Sequence, residues 1–459
     1  MYSVCTFLLL SLLSSFSGYS QKRYELTVKQ AVELAYQNLT EVKNAAIDVE
    51  IQQAQNSEIT GQALPQVNGS AGLSRYLELP QVLFPDGSKA GIYNVLINEG
   101  LLPSTTKIPT PTSQAISFVQ PWNTNVGATL SQLLFQPDVF VGLKARKTAL
   151  GIAQSNLELT KEKVKDSAYR RYYAILIAQK QTEFLQKGID RLEKLYHDDS
   201  VMFVNGFAEK LDLDKVQVQL TNLRTSQNIL DNSIKVAYEA LKFSLGVSQK
   251  DTVQLKEGLT TEEVKKGLLD LNFRYEDRKE IQTLNYVRKL QELDVKRSQL
   301  GYLPTLTTFI NYNVQGQGKE FITSNKTLWF RSSQVGLNLN LPIFDGFQRK
   351  NKIQQAQLNL RKVENNIENM KQVIDLQQDI SKESLKSALL NLDAQERNVQ
   401  LAESVYATTK KKFEAGVGSS FEVLLSDNDW QTAQSNYFTG LYNAIVAKIA
   451  YQSSLGKLQ

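Results

Sequence analysis

Apolar and polar residues alternate over three windows of the chain. Leu306, Thr308, Ile310, Tyr312 and Val314 fall on one side and Thr307, Asn311 and Asn313 on the other, with Phe309 as the exception. Val335, Leu337, Leu339 and Leu341 alternate with Gly336, Asn338 and Asn340. Phe118, Trp122, Val126, Ala128 and Leu130 alternate with Asn123, Asn125, Gly127, Thr129 and Ser131. A period of two places successive side chains on opposite faces of a strand. Each window therefore predicts a strand with one apolar and one polar face, within strand pairs at 65–134 and 304–341. The apolar face of such a sheet meets either the core of a soluble domain or lipid outside a membrane barrel, whose polar face lines a water-filled lumen. Strands of about 10 residues suit a barrel span. Four strands per chain do not close a wide barrel, whereas three copies supply twelve, an even number within the range such barrels use.

The remaining pattern is helical. All ten prolines lie in two windows, eight of them between Pro65 and Pro137 and the others at Pro304 and Pro342. Proline breaks helix interiors, so its absence elsewhere marks where long helices are allowed. Phe347 to Ala415 contains neither Gly nor Pro, enough for a helix on the order of 100 Å long. Within it Val363, Ile367, Met370 and Ile374 are spaced four, three, four, and Leu385, Leu389, Leu392, Val399 and Tyr406 continue the stripe. That spacing is the seam of a coiled coil. Helices are expected near 27–60, 139–203, 209–246, 272–299, 347–414 and 420–456.

The two halves of the chain echo each other. Phe203-Val204-Asn205-Gly206 and Phe413-Glu414-Ala415-Gly416 stand 210 residues apart, as do Ser244-Leu245-Gly246 and Ser454-Leu455-Gly456. Leu64-Pro65 and Leu303-Pro304 stand 239 apart, while Val126-Gly127 and Val335-Gly336 stand 209 apart. The change of offset places about 30 extra residues in the first half. The unit is too long for a solenoid repeat, whose period is roughly 20–50 residues. It reads instead as one duplicated architecture: a first repeat at 21–246, a linker at 247–271 and a second repeat at 272–459. The extra stretch belongs to a proline-rich segment at 75–117; loops this long are usually functional or disordered, and on a barrel the long loops face outward, so an external loop is expected.

Composition changes the picture in two places. Residues 1–20 carry no charge, and an apolar run from Phe7 to Leu13 precedes small residues and Gly18-Tyr19-Ser20. This resembles a secretory leader without a positive n-region, implying Sec export; a membrane anchor is the alternative, although the run is short for a span of about 20 residues. Cys5 is the single cysteine, so cleavage leaves no thiol chemistry. The 52 basic and 47 acidic residues give a net charge of +5 and are interspersed. A mixed surface of this kind offers no argument for nucleic acid.

Catalytic and metal patterns are weak. His197 beside Asp198 and Asp199 lacks a ligand constellation. Asp427 and Asp429, two apart, do not share a helix face. No phosphate loop, nucleophile elbow or zinc spacing appears, so no enzyme and no cofactor is expected. Trp122 and Trp329 suit either a membrane interface or packing on a neighbouring strand.

Several ordered motifs carry a resemblance. Tyr302-Leu303-Pro304-Thr305-Leu306 leads into a strand. Val335 to Gly346, read as Val-Gly-Leu-Asn-Leu-Asn-Leu-Pro-Ile-Phe-Asp-Gly, leads into a long helix. Phe413-Glu414-Ala415-Gly416-Val417-Gly418 marks a helix turn ahead of Phe421-Glu422-Val423-Leu424, and Ser454-Leu455-Gly456 ends the last helix. Together with their degenerate repetition in the first half, these motifs are similar to those of the TolC family of outer-membrane efflux proteins. The resemblance implies a membrane channel-tunnel: a homotrimer whose 12-stranded outer-membrane β-barrel, four strands per chain, is continued by a periplasmic α-helical coiled-coil barrel. It implies a passive exit duct in the outer membrane of a Gram-negative bacterium. The implied partners are a periplasmic adaptor (membrane fusion) protein, an inner-membrane RND or ABC transporter and outer-membrane lipid.

Residue by residue, the resemblance places a constriction carboxylate at Glu422, with Leu425 at the family's second acidic position. It places a gating aspartate at Asp212, with Phe413 where its tyrosine partner is expected and Gly418 at a locking arginine position. Both departures remove hydrogen-bond donors. The turns holding Asn205, Gly206, Gly416, Val417 and Gly418 are implied to meet the adaptor. Without the resemblance, Glu422 reads as a solvated helix acid and Asp212 as a helix N-terminal charge. Small-molecule efflux and type I protein secretion are not separable on this chain. The rival from another class is a structural periplasmic coiled coil or adhesin, which has no use for the alternating strand pairs.

Overall fold

A computed structural model describes residues 22–110, 112–256, 264–265 and 273–458. The leader expected at 1–20 and most of the linker expected at 247–271 lie outside the described residues. In chain order the strands are β1 (Arg23–Leu26), β2 (Gln66–Arg75), β3 (Val82–Asp86), β4 (Thr112–Ile116), β5 (Trp122–Phe135), β6 (Thr252–Leu255), β7 (Thr305–Gly318) and β8 (Leu328–Asn340). The helices are α1 (Val28–Asn38), α2 (Thr40–Gln62), α3 (Ser88–Asn98), α4 (Pro137–Val204), α5 (Lys210–Leu245), α6 (Lys279–Leu300), α7 (Gln348–Glu414) and α8 (Ser420–Ser454). None of the described helices is long and apolar enough to cross a membrane.

The chain divides into two compact units. One takes Gln55–Ala145 and Leu293–Ala356 and holds a four-stranded antiparallel sheet in the order β2-β5-β7-β8. The alternation read from the sequence is met strand by strand: Ile310 faces Val335 and Leu130 across the ladders, and Asn313 faces Gly127. Gly127 and Gly336 make room for the odd-numbered side chains of β7. A Cβ at Gly127 would overlap the Asn313 amide, and one at Gly336 would come within 2.6 Å of the Phe309 ring. Phe309, the residue that breaks the alternation, is thus accommodated by the glycine opposite it. The segment expected as a loop at 75–117 contains structure of its own, a β3–β4 antiparallel ladder and α3. It is closed at its base where the Tyr76 N–H donates to the Pro121 carbonyl at 2.8 Å.

The other unit takes the chain up to Ala54, Arg146–Glu292 and the chain from Gln357 on. Its core joins the apolar stripes of α1, α4, α5, α7 and α8, among them Ala31, Tyr172, Ile175, Leu241, Leu392 and Ala444. The heptad stripe predicted on α7 is the packed one, with Ile367, Ile374, Leu385 and Leu392 buried. Two features were not read from the sequence. The helix expected at 27–60 is two helices, because Leu39 is extended (φ −67, ψ 129). Just there the backbone of Gly246 comes so close that a Cβ would lie 2.7 Å from the Asn38 carbonyl carbon. The expected linker also holds β6, which pairs in parallel with β1 in register Arg23↔Thr252 to Leu26↔Leu255. The fully buried Tyr172 hydroxyl fastens this ribbon to α4 by donating to the Leu26 carbonyl at 3.0 Å.

Candidate functional site: the paired turns of the helical unit

Two helix-to-helix turns share one hydrogen-bond pattern. After α4, Gly206 adopts φ +82, its N–H donates to Phe203, and the Phe207 N–H donates to Met202 at 2.8 Å. After α7, Gly416 adopts φ +74, its N–H donates to Phe413, and the Val417 N–H donates to Lys412 at 3.0 Å. This is the six-to-one closure of a helix C-terminus, which needs a left-handed residue and therefore favours glycine. Asn205 reinforces the first turn by donating from its side-chain amide to Val201 at 2.7 Å. Gly418 is held by space rather than by its own φ, since a Cβ would sit 3.1 Å from the Phe413 nitrogen. Both turns expose an apolar residue, Phe207 and Val417.

The next helices begin with acids. Glu422 lies in the first turn of α8, capped by Ser419, whose hydroxyl accepts from the Glu422 N–H at 3.2 Å. Its side chain is exposed and makes no ion pair among the described residues. Leu425 beside it is also exposed. Asp212, half-buried in the first turn of α5, pairs with Lys215 at 3.4 Å. The same ammonium lies 4.5 Å over the Phe421 ring, joining the start of α5 to the start of α8. Phe413 packs against the cluster of Leu192, Val216, Leu220 and Val423. Within this chain Asp212 contacts Lys215, and Phe413 contacts an apolar cluster.

Two buried groups near these turns escaped the sequence reading. The first is an ion pair between Arg191 of α4 and Asp427 of α8 at 2.6 Å, in which Asp427 is almost fully buried. The Arg191 guanidinium lies 4.2 Å over the Trp430 ring, with the Tyr406 and Phe184 rings at 5.5 and 5.6 Å. Gln431 also donates to Asp427. Burial pushes the Asp427 carboxyl up, and the Arg191 charge and hydrogen bond oppose that shift. The second group is Asp199, fully buried, with neither carboxylate oxygen hydrogen-bonded. Burial pushes its carboxyl up against the opposing influence of the Ser420 hydroxyl, and the charges of Asp212 and Asp198 push it further up. The signal for both was present in the spacing: Val423, Leu424, Asp427 and Gln431, like Leu192, Leu195 and Asp199, follow a three-four step and are buried together. No group of three or more potential metal ligands occurs among the described residues.

Comparison with known proteins agrees with this architecture. Residues 278–457 match the family model described as outer membrane efflux protein. The outer membrane protein TolC of Vibrio cholerae is 21% identical over 344 residues, covering 73% of this chain and 77% of that protein. Among solved structures, CusC superposes with a TM-score of 0.71 at 13% identity, covering 96% of this chain and 95% of CusC. The Campylobacter jejuni CmeC outer membrane channel superposes with a TM-score of 0.69 at 16% identity, covering 97% and 91%. The family model is seated on the second half of the chain, and along nearly its whole length the chain shares the fold of solved outer-membrane channels, so it is similar to outer-membrane efflux proteins in both sequence and architecture.

Proposed function

We propose that this chain forms the outer-membrane exit duct of a tripartite efflux pump, carrying small molecules from the periplasm to the exterior. The observation that carries the reading is the four-stranded sheet. Its outer strands β2 and β8 each leave one edge unpaired, and Val335, Leu337 and Leu339 stand 73%, 69% and 63% exposed. An open edge is a template for another strand, and an apolar stripe of that length is at home in lipid. Three copies pairing β8 of one with β2 of the next close a twelve-stranded barrel with no edge left. The alternating direction of the four strands makes that new pair antiparallel, like the rest.

On this reading the long helices extend into the periplasm and no chemistry is required of the chain: its work is to hold open a polar path. The turns at Gly206 and Gly416, with Phe207 and Val417 exposed, meet a periplasmic adaptor that links the duct to an inner-membrane RND or ABC transporter. Glu422 recurs at the constriction, Asp212 and Phe413 pack the tip, and the chain is delivered through the Sec pathway. The test is reconstitution in planar bilayers with light scattering in detergent. A trimer that conducts ions is the expected result; a stable monomer without channels would overturn the proposal.

A further inference from the structure

The charged residues of the strands β2, β5, β7 and β8 are Arg75 and Arg331 alone. The register places both on the apolar face of the sheet, Arg75 as the partner of Trp122 and Arg331 as the partner of Val314. The opposite face, which holds Asn311 and Asn313, therefore carries no charge on any of these strands. Amides, hydroxyls and glycines stand there instead. One row across the sheet runs Asn68, Thr129, Asn311 and Gln334. Another holds Asn125, Gln315 and Phe330.

These amides are uncommitted. The side chains of Asn125, Asn311, Gln315 and Gln334 make no hydrogen bond among the described residues, and the Asn311 Oδ1 is buried without a donor. Two aromatic rings share the face. Phe330 is exposed, and the end of the Phe309 ring rests where Gly336 lacks a Cβ. Rings of charged side chains sort ions by sign; a wall without them neither gathers nor repels an ion by charge. A carboxamide offers two N–H donors and an oxygen acceptor side by side, which matches a hydroxyl that donates and accepts from one atom. The aromatic faces, electron-rich and apolar, suit the C–H side of a sugar ring.

We infer that the polar face of this sheet is a low-affinity binding track for uncharged, hydroxyl-rich cargo: glycans and glycosides. The inference rests on the exit-duct reading, which turns this face toward the path, and names a cargo class that reading leaves open. Twelve strands spaced about 4.8 Å apart and tilted by about 40° enclose a barrel roughly 24 Å across between backbones. Side chains narrow it further, so a linear glycan on its way out passes within reach of the amides. Each hydrogen bond is exchanged for one with water and leaves little net attraction, which suits a wall that must also release what it holds.

The experiment is block of single-channel current in planar bilayers by maltohexaose, set beside a polyethylene glycol of the same hydrodynamic radius and hexagalacturonate. Polyethylene glycol has ether acceptors but no hydroxyls along its length; hexagalacturonate keeps most of the hydroxyls and puts a carboxylate on every ring. Maltohexaose is expected to block at a concentration about tenfold below that of polyethylene glycol, because amides placed for hydroxyls discriminate against a molecule without them. Gln315→Ala and Phe330→Ala should each raise the blocking concentration of maltohexaose about fivefold, the loss of one contact. Ser333→Ala, which changes the apolar face, should leave it unchanged. Equal block by polyethylene glycol would reduce the effect to occlusion and overturn the inference. Block by hexagalacturonate at a lower concentration than maltohexaose would overturn the uncharged assignment. Unchanged block in both polar-face variants would remove the track from this face. If either variant fails to insert, the comparison of maltohexaose with polyethylene glycol on the wild-type protein decides alone. Failure of the duct reading is separate and visible at once, as wild-type protein that inserts no channels.

Discussion

At the scale of single residues, three carboxylates in similar helical settings have three different fates. Glu422 is exposed in a first helical turn. Were it repeated around a constriction, as proposed, it would focus a negative potential that favours cations, with no second ring from Leu425. Glu422→Gln is expected to lower the cation-over-anion permeability ratio by about twofold at low ionic strength, since salt screens the effect. Reversal potentials measure it, and an unchanged ratio would make Glu422 a solvated helix acid. Asp427 is committed to Arg191. Removing one partner of a buried pair strands the other, so Asp427→Ala should destabilise the fold by about 3–5 kcal/mol, whereas replacing both with Leu and Met should recover much of the loss. Thermal unfolding of the two variants decides this; equal losses would sink the pairing argument.

Asp199 has no such partner. Burial holds its folded-state pKa above the usual carboxylate value, so ionisation opposes folding. The penalty is full above the raised pKa, falls away as pH drops through it, and is absent below the unfolded value. Asp199→Asn is therefore expected to raise stability at neutral pH and to leave it nearly unchanged at about pH 3. Melting curves at both pH values test the sign; a destabilised neutral-pH variant would mean that the carboxylate is held by something beyond this chain.

At the scale of elements, helices and strands were legible where the periodicity ran long. The Gly- and Pro-free stretch after Phe347 is α7, and its three-four stripe is the buried one. The break between α1 and α2 was not legible. No Gly or Pro stands at Leu39, and the interruption coincides with a backbone contact from Gly246, more than 200 residues away. The β1–β6 ribbon was missed because each strand has only four residues, too few for alternation to be told from chance. The insert between β2 and β5 was read as a loop because its prolines masked short elements. Since β2 and β5 are already joined at Arg75↔Trp122 and the Tyr76–Pro121 hydrogen bond closes the base, removal of 78–113 with a short linker should leave assembly and membrane insertion intact. Loss of the folded assembly on gel filtration would show that the insert is structural.

At the scale of the whole molecule, the open edges of the sheet predict how copies meet. Ser70 of β2 and Ser332 of β8 lie at one level through the ladder partners Gly127 and Asn313. Cys5 is the single cysteine of the chain, so the pair is built on a Cys5→Ser background. Ser70→Cys with Ser332→Cys, treated with a short bis-maleimide to span a stagger between neighbours, is expected to give linked dimers and trimers and nothing larger. Material that stays monomeric, or that forms an open ladder of higher species, would be incompatible with a closed ring of three.

What the sequence determined by itself is what local periodicity and chain stiffness control. A period of two set the strands and their two faces, a three-four spacing and the absence of Gly and Pro set the long helices, and the matched glycines marked the turns. Those signals depend on neighbours within a few residues, so they survive without knowledge of the fold. Only the tertiary structure decided which polar groups are buried. The three-four step puts Asp427 on the apolar face of its helix and exposed Asp429 off it, but nothing local says that this face is sealed from water or that an arginine meets the acid there. Their fates depend on Arg191 and Trp430 arriving from other parts of the chain or another turn of the helix, and desolvation is a property of everything packed around a group.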